Sequence, residues 1–265
     1  MTHRHHVRLW GRTKVVSNFN AEFGHRPTDK WAEMILARLE TKGVDVLAVE
    51  EAQDYFLDLK RLAEDRGHTL VGHGLNSRNA LLVRKGLTVG PVGSVPGDVA
   101  TWKTPHGTPQ SMAEPVVALV GRITYVAIHA PVHAWVVAQG GRRLAGPAAR
   151  VQAYKDFTTN LVEFVNATPG RVVVLGDWNA TPDTLGDYSP AWVAAKTGMD
   201  FIRPLASTGH GEIDFGLAKP VKVTSVEVVP KDEFLVKHET GGSESGAHSD
   251  HLQVIASVRF PLFGR

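Results

Sequence analysis

A pattern repeated along the chain most narrows the possible folds: a short apolar, β-branched run that stops abruptly on polar residues. Val15-Val16 leads into Ser17-Asn18-Phe19-Asn20, and residues 46–49 (VLAV) lead into Glu50-Glu51. Residues 123–128 (ITYVAI) end on His129, and residues 172–175 (VVVL) end on Gly176-Asp177-Trp178-Asn179. Such runs have the length and composition of buried strands. Helical patterns fall between them. After Thr28, Trp31, Met34, Ile35 and Leu39 recur at helical spacing and Gly43 supplies the stop; Asp54 offers a cap for a second helix carrying Tyr55, Leu59, Leu62 and Ala63. Pro147 opens a third helix with Val151, Tyr154, Phe157, Leu161 and Val165 on its apolar face.

Further strands are predicted at 80–83, 116–119, 213–217, 221–229 and 252–258, with Gly121-Arg122 turning a hairpin into residues 123–128. Strands outnumber helices, helices occur in both halves, and neither a Pro/Ser-rich linker nor an internal repeat divides the chain. The expectation is one α/β sandwich domain over residues 1–265, with 1–12 as a flexible N-terminal segment. Residues 86–114, 131–146 and 180–212 read as long loops, the usual place for substrate choice.

Composition excludes several classes. With 43% hydrophobic and 21% charged residues the chain has material for a core and no disorder signature. No apolar run approaches the roughly 20 residues that span a bilayer, and MTHRHHVRLW lacks the apolar stretch of a signal peptide, so the expectation is a soluble, cytoplasmic protein, taken as a monomer. Cysteine is absent, which removes disulfides and thiolate metal sites and leaves His, Asp, Glu and Asn as ligands for a hard cation. A formal net charge of +2 permits an anionic partner without demanding one.

Taken singly, the polar strand ends have plain readings. Asp-x-Asn is common turn chemistry, a glutamate after a strand is usually solvated, and a lone histidine is usually a satisfied, partly buried side chain. If the strand ends meet at one edge of a sandwich, however, they form a pocket of carboxylates, histidines and amides suited to Mg²⁺ or Mn²⁺ and to proton handling near neutral pH. Gly176 would then let the backbone turn so that Asp177 and Asn179 face the pocket while Trp178 packs the other way.

In chain order these pieces resemble the endonuclease/exonuclease/phosphatase superfamily, the deoxyribonuclease I-like proteins. GDWN at 176–179 is similar to the family's GD-aromatic-N, and SDH at 249–251 to its near-terminal motif. SNFN at 17–20, DVLAVEEA at 45–52, AIHAP at 127–131 and EIDF at 212–215 support them. The resemblance implies a four-layer α/β/β/α sandwich of two packed, mainly antiparallel sheets flanked by helices. It implies a phosphodiesterase dependent on Mg²⁺, with Mn²⁺ as the alternative, acting on DNA or RNA by in-line water attack.

Residue by residue, it implies Glu51 as principal metal ligand, Asn20 beside it, and Asp250 supporting a metal. Asp177 would activate or orient the attacking water and Asn179 would help hold it. His251 would accept a proton or stabilise transition-state charge, with Asp214 fixing its imidazole, and His129 would donate to a nonbridging oxygen or help the leaving group. Arg150, with Gln152, is similar to an Arg-x-x-Gln feature of the family at a spacing one residue different. Arg142 and Arg143 in GGRRLAG suit a phosphate clamp and equally a solvated loop. Trp102 and Trp135 are read as loop aromatics that anchor to the core or stack on bases. His3, His5 and His6 are read as an exposed terminus.

Glu50 stands where the family commonly has glutamine. Its added charge would strengthen metal binding or face solvent, and solvent exposure is the expectation. Two other functions fit the same motifs: hydrolysis of a small phosphorylated molecule or phospholipid headgroup, and a binding module without turnover.

Overall fold

In a computed structural model of the chain, the residues described are 10–21, 28–74, 77–97, 101–103, 109–111, 113–131, 135–137, 143–145, 148–182, 186–203, 213–229 and 253–261. The elements run β1 (Lys14–Asn20), α1 (Thr28–Thr41), β2 (Val46–Glu50), α2 (Phe56–Asp65), β3 (Thr69–Gly72), β4 (Ala80–Val83) and β5 (Val89–Gly93). They continue through β6 (Thr101–Lys103), β7 (Pro109–Ser111), β8 (Val116–Val120), β9 (Ile123–His129), β10 (Trp135–Val137), β11 (Arg143–Ala145) and α3 (Ala148–Ala167). The last are β12 (Arg171–Asp177), α4 (Pro190–Thr197), β13 (Asp200–Ile202), β14 (Asp214–Lys219), β15 (Lys222–Val229) and β16 (Gln253–Arg259).

Two six-stranded sheets carry the architecture, in the orders β15-β16-β1-β2-β4-β3 and β13-β14-β12-β9-β8-β5. Each is antiparallel except at its centre, where β1 runs parallel to β2 and β9 runs parallel to β12. Strand alternation sorts the side chains into three cores. Val16, Val46, Ala48, Tyr125, Val173 and Leu175 fill the space between the sheets. On the opposite faces, Leu47, Val49 and Ile255 pack with Ile35, Leu39 and Leu59 of α1 and α2, and Val172, Val174 and Leu217 pack with Phe157, Leu161 and Val193 of α3 and α4. The result is the four-layer α/β/β/α sandwich.

The sheets are also wired alike. The path β1-α1-β2-α2-β3-β4 lays β1 parallel to β2, then β4 and β3 beyond it; β9-α3-β12-α4-β13-β14 does the same, with β10 and β11 inserted before α3. At the ends of the two parallel pairs, Asn20 stands opposite Glu50 in one sheet as His129 stands opposite Asp177 in the other.

Several expected loops contain regular elements. Residues 86–114 contain β5, β6 and β7, and residues 131–146 contain the β10–β11 ladder, so Trp102 and Trp135 lie in strands paired to Gln110 and Ala145. β5, VGPVG, is an exposed edge strand, where proline is tolerated and no apolar alternation is required. Residues 180–212 contain α4 and β13; α4 has the helix signals of Ser189 capping Trp192 N–H, Pro190 in the first turn and Gly198 past the end. Asp54 does not cap α2: it lies in a 3₁₀ turn, and Tyr55 occupies the cap position.

Candidate active site

Period-two alternation decides which polar residues share a space. In β1, Val16 faces the other sheet, and so do Asn18 and Asn20; in β2, Val46 and Ala48 put Glu50 on that face. Tyr125 and Ala127 do so for His129, Val173 and Leu175 for Asp177, and Ala218 for Asp214. All five strands present these residues at one edge of the space between the sheets.

Two of the contacts there join the sheets, Asn20 to Asp177 and His129 to Glu51, and the others link neighbouring strand ends within one sheet. Asn20 Nδ2 donates to Asp177 Oδ2 at 3.1 Å, joining the two sheets directly. Asp177 Oδ1 accepts the Asn179 backbone N–H at 2.7 Å, and Asn179 Nδ2 donates to the Ala130 carbonyl at 2.8 Å. The His129 ring lies between two acids, Nδ1 at 3.8 Å from Glu51 and Nε2 at 3.6 Å from Asp177. Those separations exceed a hydrogen bond, and they leave the imidazole placed to pair with either carboxylate when protonated. Asp214 stands opposite Asp177 in the β12–β14 ladder and is fully buried. Trp178 turns away as expected: its indole stacks on Phe215 at 5.4 Å and its Nε1 donates to the Phe215 carbonyl at 3.2 Å, backing the strand ends from the helix side.

Local backbone strain is concentrated here. Glu51 and Asn179 are the positive-φ non-glycine residues among those described, at φ 58° and 48°. Non-glycine residues hold that region at a cost, and such outliers cluster at functional sites. Hydrogen bonds fix the Glu51 neighbourhood: Ala21 N and Tyr55 O–H donate to the Glu50 carbonyl, and Ala52 N donates to the Arg78 carbonyl. Gly176 is not the turn the sequence suggested. It lies inside β12 at φ +146°, and a Cβ there would sit 1.9 Å from the Ile128 carbonyl oxygen; the chain bends at Asn179 and Ala180, past the strand end.

Glu50 corrects the expectation of solvent exposure: it is 0% exposed, and neither carboxylate oxygen has a hydrogen-bond partner among the described residues. A residue at the end of a central parallel strand is covered on both faces, which a local sequence reading does not reveal. Burial raises its pKa well above the usual carboxylate range, and the charges of Asp214 and Asp177 raise it further. A carboxyl whose folded pKa exceeds its unfolded value contributes stability in full below the unfolded value and loses it as pH rises towards the folded one. Metal-free Glu50→Gln should therefore melt at least about 3 °C above wild type at pH 8, because an unpaired buried charge is costly. Near pH 4 the two should melt together; thermal unfolding in chelator at both values checks this.

Arg150 is half-buried in the first turn of α3, and Arg143 lies in β11. Arg142, Asp250 and His251 lie outside the described residues. The structure thus gathers Asn20, Glu51, His129, Asp177, Asn179 and Asp214, and adds Glu50.

The model of the endonuclease/exonuclease/phosphatase family matches residues 17–251, from the serine of SNFN to the histidine of SDH. The chain belongs to this family. The family is one of phosphate-ester hydrolases, which generally depend on a divalent metal. Its fold recurs in solved structures across nearly the whole chain. A humanised D. rerio TDP2 aligns with a TM-score of 0.60 at 13% identity, covering 93% of this chain and 98% of its own. An AP endonuclease from Archaeoglobus fulgidus gives 0.56 at 13% identity, covering 92% and 98%. The human Nocturnin catalytic domain with bound sulfate gives 0.57 at 14%, covering 95% and 97%. Among curated proteins none matches significantly. No helix among the described residues is long and apolar enough to cross a membrane.

The donor set suits the family's metal. Buried Asp177, Asp214 and Glu50 and partly exposed Glu51 bring acidic oxygens to one edge, and Glu50 has no hydrogen-bond partner among the described residues. Hard oxygen donors without thiolates fit Mg²⁺ or Mn²⁺. Among the described residues no three His, Asp or Glu side chains form a group that could hold an ion.

Proposed function

We propose that the protein is a divalent-metal-dependent phosphodiesterase that cleaves nucleic acid by in-line attack of water. The observation that carries this reading is the cluster of Asn20, Asp177, Asn179, His129 and Glu51, which spans both sheets at one edge of the sandwich. Phosphodiester hydrolysis is chiefly positioning plus electrostatic stabilisation, and the cluster has the groups for both. Glu51 and Asn20 would hold the cation, with Asp250 contributing from the SDH motif. When bound, the cation would offset phosphate charge and lower the pKa of a coordinated water.

Asp177 supplies the base. Its two oxygens are oriented by the Asn20 amide and the Asn179 N–H, so the carboxylate is held in one attitude towards an attacking water. His129, between Glu51 and Asp177, is placed to donate to a nonbridging oxygen or the leaving oxygen. Asp214 would fix the imidazole of His251, setting its tautomer. Nucleic acid is favoured as the substrate because the solved neighbours include an AP endonuclease and a D. rerio TDP2 with a single-stranded DNA product.

Turnover should be measured with Mg²⁺ and with chelator across DNA, RNA, abasic DNA, inositol phosphates and sphingomyelin. Cleavage of DNA or RNA should stop in chelator, and it should fall steeply as salt rises because polyanion binding releases counterions. Activity confined to the small phosphate esters would move the substrate assignment, activity in chelator would remove the metal, and silence throughout would favour a binding module.

A further inference from the structure

We propose that Glu50 belongs to the cation-binding apparatus of this site, supplying buried negative charge behind Glu51 rather than a coordinating oxygen; this rests on the metal dependence proposed above.

Four observations converge on it. The side chain is fully buried, and neither oxygen has a hydrogen-bond partner among the described residues. Its backbone is anchored: the Glu50 carbonyl accepts from Ala21 N at 3.1 Å and Tyr55 O–H at 3.3 Å, and β2 is paired on both sides. Its Oε1 reaches across the gap between the sheets, 2.9 Å from where a Cβ on Gly176 would lie, and so comes up under the strand end that carries Asp177. By wiring, Glu50 is to the β1–β2 pair what Asp177 is to the β9–β12 pair: the last residue of its strand, opposite Asn20 as Asp177 is opposite His129.

A buried carboxyl with acidic neighbours is expensive unless a positive charge answers it. In this family a cation at the Glu51 edge is the available one. From behind Glu51, Glu50 acts through the field at the ion rather than as a ligand.

Glutamine has the shape of glutamate without the charge, which makes Glu50→Gln the discriminating variant. Calorimetric titration of Mg²⁺ and Mn²⁺ at pH 7.5, with the ion-induced rise in Tm as a second readout, should show at least about tenfold weaker binding and a smaller rise for Glu50→Gln. Glu50→Asp keeps the charge and should bind within about threefold of wild type. Glu51→Gln, measured alongside, should lose binding, which assigns the titrated ion to this edge. Wild-type affinity in Glu50→Gln overturns the proposal while leaving the metal-dependent reading intact. Equal losses in the Gln and Asp variants overturn it in favour of shape. Wild-type protein that binds neither ion overturns both.

Discussion

Asp177→Ala is expected to lower turnover about 10³-fold or more on whichever phosphodiester the protein cleaves, in line with the loss of a positioned general base together with its electrostatic role. Stability should move in a different direction. The substitution removes the acceptor for Asn20 Nδ2 and for the Asn179 N–H, yet it also removes one of the charges that crowd Glu50. The two effects oppose one another, so metal-free Asp177→Ala should melt close to wild type, as should Asp177→Asn, which keeps one of the two acceptors and also lacks the charge. Steady-state kinetics beside thermal melts in chelator tests both halves. Retention of wild-type turnover by either variant would remove Asp177 from the reaction; a collapse in Tm would mean that the residue serves the fold.

The second large effect is on the fold alone. Gly176→Ala places a methyl group 1.9 Å from the Ile128 carbonyl oxygen and 2.9 Å from Glu50 Oε1, at a φ of +146° that side chains other than hydrogen rarely adopt. The obstacle is backbone in the paired strand β9, so it cannot rotate aside. A cost of about 3 kcal/mol or more is expected, lowering Tm by about 6–12 °C for a chain of this size. Urea or thermal unfolding measures it, and a Gly176→Ala protein that melts within a degree of wild type would refute the close approach.

The strand ends were legible because apolar runs and the polar residues after them are adjacent in sequence. Asn20, Glu51, His129, Asp177 and Asn179 all follow such runs, and the structure brings them to one edge. Glu50 was misread because burial of an acid depends on what covers the strand, here a helical layer on one side and a second sheet on the other. Residues 86–114 were read as a loop because β5 has the composition of one: an edge strand of Val, Gly and Pro that owes its pairing to β8. α4 was missed despite a legible Ser189-Pro190 start and Gly198 stop, because eight residues show too little periodicity to outweigh the surrounding polar sequence. The repeated wiring of the two sheets left no trace in the residues, since a shared chain path constrains which positions are apolar far more than which side chains fill them.

The wiring also sets an order of assembly. β1 must pair with β16, which brings Lys14 beside Val258, and Asn20 must find Asp177, 157 residues later. A chain emerging during synthesis can form the β1-α1-β2-α2-β3-β4 unit early, but β1 then waits with an open edge until β16 arrives. Contacts this distant in sequence form slowly. The candidate site is therefore among the last parts of the molecule to exist, and partly made chains would carry the family's motifs without yet carrying the assembled strand ends.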